Sequence, residues 1–224
     1  MIDRPQAIIF DFDGVLLESE YEGNRLIAEA LSDSGHPTTI DDALAHFVGL
    51  NGKDFAAAVE KWIGTVVPVN FQQRMTQERQ RVLREGLAEV AGAVDFVRSL
   101  PPSLPKAVAS SSSVQWIRTH LGHLGLADAF GDHIYSGRDH VERGKPAPDL
   151  YLHAARQLGV PIERSVIIED SPVGVTGAVA SGATVIGFVG GSHCLDGQAD
   201  RLRALGVHHI ADGFDEVRRL LGLR

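Results

Sequence analysis

An α/β fold with a Rossmann-like parallel sheet, interrupted near its start by an inserted helical segment, is the architecture this sequence predicts. Three observations carry the expectation. Short apolar runs of strand length recur, and each gives way to small or polar residues and then to a helical pattern. The stretch from Leu17 to Leu87 has helical spacing and polar faces but no comparable run. Two of the strongest apolar runs end in acids, which suits the carboxyl ends of parallel strands, where ligands bind in such sheets.

The elements follow in order. "AIIFDFD" reads as a first buried strand. "EGNRLIAEALSDSG" and "FQQRMTQERQRVLREGL" then predict helices, and Pro68 demotes the intervening "GTVVPVN" as a central strand. The α/β pattern resumes near Val90–Gly92. "GAVDFVRSL", "VQWIRTHLGHLGL", "PDLYLHAARQLGV" and "GVTGAVASG" are amphipathic or helical, and "KAVASSSS", "SVIIEDS" and "ATVIGFVGG" alternate with them as strands. "DHIYSGRD" and "HHIADG" are weaker strand candidates. The expected division is a core of residues 1–16 and 88–224 with a helical insertion over 17–87, without internal repeats or low-complexity segments.

Composition narrows the class of function. The 224 residues allow a full hydrophobic core, and an apolar fraction of 44% with 22% charged residues is ordinary for a globular chain. A net charge of −8 argues against general nucleic-acid binding, so an anionic ligand has to be drawn in by a local positive field. Cys194 is the only cysteine, which fits a reducing compartment. Met1 to Pro5 are too short and polar for a signal h-region, and no run approaches the ~20 apolar residues of a membrane span. The expectation is a cytoplasmic protein; oligomeric state is left open, and a monomer is compatible.

The strand ends carry the chemistry. The first offers Asp11 and Asp13, the second Ser110 to Ser113, and the third Glu169 and Asp170, while "ERGKPAPDLY" adds Lys145 in a loop before a helix starting near Asp149. In a parallel sheet these groups meet at one edge. A carboxylate cluster with one cation and a hydroxyl patch is what magnesium-assisted phosphoryl transfer needs, with Asp11, Asp170 and Glu169 as oxygen ligands. Each group also has a plainer reading. Asp11 and Asp13 alone would pass for an Asx turn, the serines for an N-cap on "VQWIRTHL", and Lys145 for a solvated loop residue. The serine alternatives are compatible, because a helix N-terminus is itself an anion site. Adjacent His193 and Cys194 lack metal-ligand spacing and read as a surface loop. His208 and His209 read as strand-edge residues, and Trp62 and Trp116 as packing anchors. Arg74, Arg79, Arg81 and Arg84 read as a solvated helix face beside Glu78 and Glu85, with one of them or Lys53 as an alternative second anion contact.

Taken together, "DFDGVLLESE", "ASSSS", "GKPAPD" and "IIEDS" resemble, in order, the four motifs of the haloacid dehalogenase (HAD) superfamily. The resemblance spans essentially the whole chain. In the insertion it rests only on position and helical character, similar to the four-helix cap of the subgroup containing sugar-phosphate phosphatases and β-phosphoglucomutase. It implies a HAD-like core with an α-helical cap. It also implies a nucleophile at Asp11, a general acid/base at Asp13 whose backbone carbonyl ligates Mg2+, and a stabilising cation at Lys145. Phosphate binding falls to Ser110, Ser111, Lys145 and Gly14, and metal ligation to Asp11, Asp13, Asp170 and Glu169. An acid at position 13 suits an oxygen leaving group, so phosphate esters are expected rather than carbon–halogen bonds. Val15 stands where many relatives have threonine. Ser113-Val114 replaces a Lys-Asn pair of the mutase, and Gly23 and Asn24 lie where its cap histidine is expected; both departures favour hydrolysis. The implied activity is hydrolysis of a small phosphorylated metabolite, a sugar or sugar-acid phosphate. A phosphosugar mutase, or a non-catalytic binding protein on the same fold, is the alternative.

Overall fold

The computed structural model describes residues 2, 4–50 and 52–223. In chain order the elements are β1 (Ala7–Phe10), α1 (Ser19–Asp33), α2 (Ile40–Phe47), α3 (Gly52–Ile63), α4 (Val69–Glu85), α5 (Ala93–Ser99), β2 (Lys106–Ser110) and α6 (Val114–His123). They continue with α7 (Ala127–Phe130), β3 (Ile134–Ser136), α8 (Asp149–Gln157), β4 (Ser165–Glu169), α9 (Pro172–Ser181), β5 (Thr184–Phe188), α10 (Gln198–Ala204), β6 (His209–Ala211) and α11 (Phe214–Leu220). Two compact units result, Met1–Glu18 with Ala88–Arg224, and Ser19–Leu87.

The first unit is a six-stranded sheet in the order β3-β2-β1-β4-β5-β6, parallel throughout. The α/β expectation therefore holds, and both weaker strand candidates are real: "HIYS" supplies β3 and "HHIA" supplies β6. β1 is central and wholly buried, which is why it reads as an unbroken apolar run and not as an alternating one. Its residues alternate between faces. Phe10 packs edge-on against Phe96 of α5 and Phe130 of α7, at centroid distances of 6.1 and 5.8 Å. Ile9 belongs to a separate cluster with Leu150, Tyr151 and Ala154 of α8. β1 pairs with β2 on one side and β4 on the other, and Asp11 extends that register by donating its N–H to the Ile168 carbonyl. The order reverses between β1 and β4, so the strand ends carrying Asp11 and Glu169 flank the sheet's switch point.

The second unit is four helices around Ile27, Ala30 and Leu31 of α1, Ala43 and Phe47 of α2, Val59 of α3 and Phe71 of α4. Thr39 and Asp42 form a reciprocal capping box at the start of α2. "GTVVPVN" forms no strand; Pro68 instead precedes α4. Arg74 pairs with Asp33 and Glu29, and Arg81 with Glu78 and Glu85, as a solvated face does, while Lys53, Arg79 and Arg84 are exposed. The unit starts at Ser19 because Leu17 and Glu18 are held by the first unit: Leu17 bridges Asp13 and Glu89, and Glu18 N–H donates to the Ala88 carbonyl. Among the described residues no helix is long and apolar enough to cross a membrane.

Phe96 ties β1 to α11, stacking on Phe214 at 4.9 Å while it meets Phe10. Phe96→Ala is expected to destabilise the chain by about 3–5 kcal/mol, read as a lower urea midpoint at unchanged slope.

Candidate active site

Lys145, in the loop before α8, is buried beside the ends of β1 and β4. Its Nζ lies 2.7 Å from Asp11 Oδ1 and 2.7 Å from Glu169 Oε1, with all three side chains below a tenth exposed. Glu169 has further partners. Its Oε1 also accepts from Tyr151 Oη at 3.1 Å, and its Oε2 accepts from Ser171 N at 2.8 Å and Ser171 Oγ at 3.1 Å. Ser171 in turn caps α9 through Gly174 N. A Cβ at Gly174 would sit 1.6 Å from Glu169 Oε1, so only glycine admits this carboxylate.

Asp170 faces a different partner. His193 Nε2 lies 2.7 Å from Asp170 Oδ2, and both side chains are 4% exposed. His193 is therefore no surface-loop residue, and the expectation from its spacing is corrected. The loop after β5 folds it inward, where an acid is in place to meet it. Gly14 accommodates the pair. Its φ is +83°, and a Cβ there would fall 2.2 Å from Asp170 Oδ2.

Asp13 turns toward β2 and α6. Its Oδ2 accepts from Ser112 Oγ at 2.6 Å and Ser110 Oγ at 3.3 Å, and its Oδ1 accepts from the Trp116 indole N–H at 3.1 Å. Ser110 Oγ also accepts from Ser112 N, and Ser113 caps α6. Ser111 is exposed and is not among these donors.

The fold thus brings Asp11, Lys145, Glu169 and Asp170 into one buried cluster, with Asp13 and Ser110 in an adjoining network. Gly14 stands against Asp170. From sequence alone Tyr151 has no role, Trp116 reads as a packing anchor and His193 as a surface-loop residue, and Ser112 stands only as part of the hydroxyl run Ser110 to Ser113. The signal of Trp116 and Tyr151 was aromatic identity on a helix, which packing residues share.

The charges do not balance within the cluster. Burial pushes the Asp11 carboxyl well above its ordinary pKa; Lys145 opposes this, and the negative charges of Glu169 and Asp170 reinforce it. Burial also works against a charge on Lys145, yet Asp11 and Glu169 outweigh it and hold the ammonium well above its usual range. Burial would raise Glu169 too, but Lys145 and the Ser171 donors keep it below its ordinary value. Asp170 is raised by burial, against the pull of His193. His193 is disfavoured as a cation by burial, but Asp170 and Cys194 push it up to about 11.

Three carboxylates outnumber the lysine and the histidine, and one oxygen of each of Asp11, Glu169 and Asp170 lies within 4.8 Å of the others. Among the described residues, Asp170 Oδ1 is buried without a hydrogen-bond partner. Hard oxygen donors, an orphaned carboxylate oxygen and surplus negative charge fit a divalent cation.

Known proteins resemble the chain over most of its length. A family model described as haloacid dehalogenase-like hydrolase matches residues 8–188. A phosphorylated carbohydrates phosphatase of Thermotoga maritima is 33% identical over 79% of this chain and 82% of that protein. A fructose-1-phosphate phosphatase of Escherichia coli K12 is 30% identical over 83% of this chain and 97% of that protein. The crystal structure of a HAD family hydrolase from Deinococcus radiodurans, with bound phosphate and sodium, superposes with a TM-score of 0.86. It is 32% identical, over 98% of this chain and 96% of that one.

Lys145→Met leaves Asp11 and Glu169 buried without their cation, which is expected to cost about 3–5 kcal/mol at neutral pH. The two carboxyl pKa values of the folded variant then rise above those of its unfolded state. The deficit relative to the parent is therefore full at neutral pH and shrinks as pH falls toward the ordinary carboxylate range near ~4. Urea unfolding of both proteins at pH 7 and pH 5 checks the direction; a deficit that grows on acidification contradicts it.

Proposed function

The chain belongs to the haloacid dehalogenase-like hydrolase family and is a phosphoric monoester hydrolase, and from that premise we propose that it is a Mg2+-dependent phosphatase of small sugar phosphates acting through an aspartyl phosphate on Asp11. The observation that carries the proposal is the division between two aspartates: Asp11 is bound to a buried lysine, while Asp13 is held apart by two serines and an indole. The Thermotoga and Escherichia relatives, phosphatases of phosphorylated carbohydrates and of fructose 1-phosphate, support the carbohydrate substrate class.

In this reading the Asp11 carboxylate attacks phosphorus, an Oδ–P bond forms, and the bond to the leaving sugar oxygen breaks. Asp13 delivers a proton to that oxygen, which departs as an alcohol. Lys145 stays against Asp11 and balances charge gathering on the phosphoryl oxygens. Asp13, now a carboxylate, takes a proton from water as the water oxygen attacks phosphorus, which frees Asp11 and releases inorganic phosphate. The indole N–H of Trp116 donates and cannot accept, so Asp13 Oδ1 is committed as an acceptor and the working proton resides on Oδ2. Ser112, a hydroxyl that can reverse its bond, suits both protonation states of that oxygen. We assign phosphate contact to Ser110 and Lys145, together with the exposed Ser111 and the buried Gly14.

Asp11 and Asp170, with the Asp13 backbone carbonyl, would hold Mg2+. Bound there, the ion supplies the positive charge that keeps Asp11 ionised and neutralises phosphate oxygens. Four donors already fill the Glu169 oxygens, so its part in this reading is to hold Lys145. The helical unit is proposed as the cap that selects among sugars.

A panel of phosphorylated sugars and sugar acids with Mg2+ tests the reading through release of inorganic phosphate, which chelator should abolish. Isomer formation without phosphate would instead identify a mutase, and silence across the panel a binding protein. Asp11→Asn should lower turnover by at least about 10⁴-fold. Asp13→Asn should lower it by about 10²–10⁴-fold, as loss of a general acid does, with substrate binding retained. Near-normal turnover in either variant removes its assigned role.

A further inference from the structure

The two oxygens of Asp170 have unlike surroundings. Oδ2 is engaged by His193 Nε2 at 2.7 Å, whereas Oδ1 is buried without a partner among the described residues and its carboxylate belongs to the acidic cluster with Asp11 and Glu169. We propose that His193 is a positioning residue of the cation site: its Nε2–H fixes the rotation of the Asp170 carboxylate so that Oδ1 is the oxygen left for the metal. This rests on the Mg2+ reading above.

Several features of the chain serve this one contact. A Cβ at Gly14 would fall 2.2 Å from Asp170 Oδ2 and 2.8 Å from His193 Cε1, and a Cβ at Gly191 would fall 2.7 Å from both Cε1 and Nδ1 of His193. Glycines in two separate loops therefore leave the space that the pair occupies. The loop carrying His193 is itself pinned. Ser192 donates its N–H and its hydroxyl to Glu18 Oε1 at 3.1 and 2.9 Å, and Cys194 N–H donates to the Gly191 carbonyl at 3.0 Å. The backbone of Asp170 is held independently, since Gln198 Nε2 donates to its carbonyl at 2.8 Å. With the backbone fixed, carboxylate rotation is the freedom that remains, and His193 removes it. An imidazole Nε2–H donates whether the ring is neutral or charged, so the positioning does not depend on its protonation.

A purely structural ion pair would give the same burial, so the test separates metal affinity from stability. Full-length wild type, His193→Phe, His193→Gln and Asp170→Asn are titrated with Mg2+ alone by calorimetry, and their metal-free melting temperatures are measured. Loss of the donor in His193→Phe should weaken Mg2+ binding by about 10–100-fold, as loss of an outer partner of a ligand does. His193→Gln, which restores an N–H donor, should recover most of it. If His193→Phe is not recovered folded, His193→Asn, polar but too short to reach Asp170, should show the same loss. A variant that melts lower yet binds Mg2+ as the wild type does overturns the proposal and leaves His193 a structural residue. If Asp170→Asn also binds like the wild type, or the wild type binds no Mg2+, the metal reading itself falls. If Asp170→Asn loses binding while His193→Phe keeps it, only the role of His193 falls.

Discussion

A buried ammonium between two buried carboxylates is the constraint around which the sheet unit is arranged. Desolvating Lys145 is unfavourable, and so is desolvating Asp11 and Glu169, and each is tolerable only because the others are present. The requirement propagates outward. Glu169 needs further donors for its remaining lone pairs, so Tyr151 on α8 and Ser171 at the head of α9 turn toward it. Gly174 has to lack a side chain to admit the carboxylate. The positions of α8 and α9 on the sheet are thus tied to one salt bridge as well as to the apolar cluster beneath it.

The adjoining aspartates show how one sheet edge gives chemically similar groups different surroundings. Asp11 and Asp170 sit where burial and mutual repulsion raise their pKa values, a standing demand for positive charge. Asp13, one residue beyond Phe12, accepts from the Ser110 and Ser112 hydroxyls and the Trp116 indole. The period of an extended strand end places Asp11 and Asp13 on the same side with Phe12 buried between them, yet the bend at Gly14 lets their carboxylates diverge. One strand end thus carries an aspartate paired with a lysine and another set among hydroxyls and an indole.

Much of this was legible in the sequence, for physical reasons that also mark where legibility ends. Parallel strands buried on both faces must be apolar throughout, so β1, β2, β4 and β5 stood out, whereas the three-residue edge strands β3 and β6 left weaker traces. α7, α10 and α11 span only four to seven residues and are too short for a helical period to show. α2 and α3 were legible only as part of a helical stretch. At the site, the acids and the lysine were readable because parallel topology gathers strand ends, whatever their separation in sequence. The partners of those groups were not. Trp116 meets Asp13 across 103 residues, and its identity as a large aromatic pointed equally to packing. His193 looked like a loop residue because nothing nearby in sequence could pair with it; its partner lies at the end of another strand. Local rules describe the groups that topology collects, while the donors that orient them are chosen by packing.

The junction of the two units has a further implication. Glu18 N–H bonds directly to the Ala88 carbonyl, and Leu17 is bridged to Glu89. The chain therefore leaves the sheet unit and returns to it through neighbouring positions, and an isolated bridge outside the sheet closes across the gap. To the sheet, everything from Ser19 to Leu87 is one long loop whose ends are already pinned. Closure entropy rises only slowly with loop length, by about 0.6 kcal/mol per doubling. A helical segment of another size or surface can then be exchanged at this point while the buried lysine and its carboxylates keep their register.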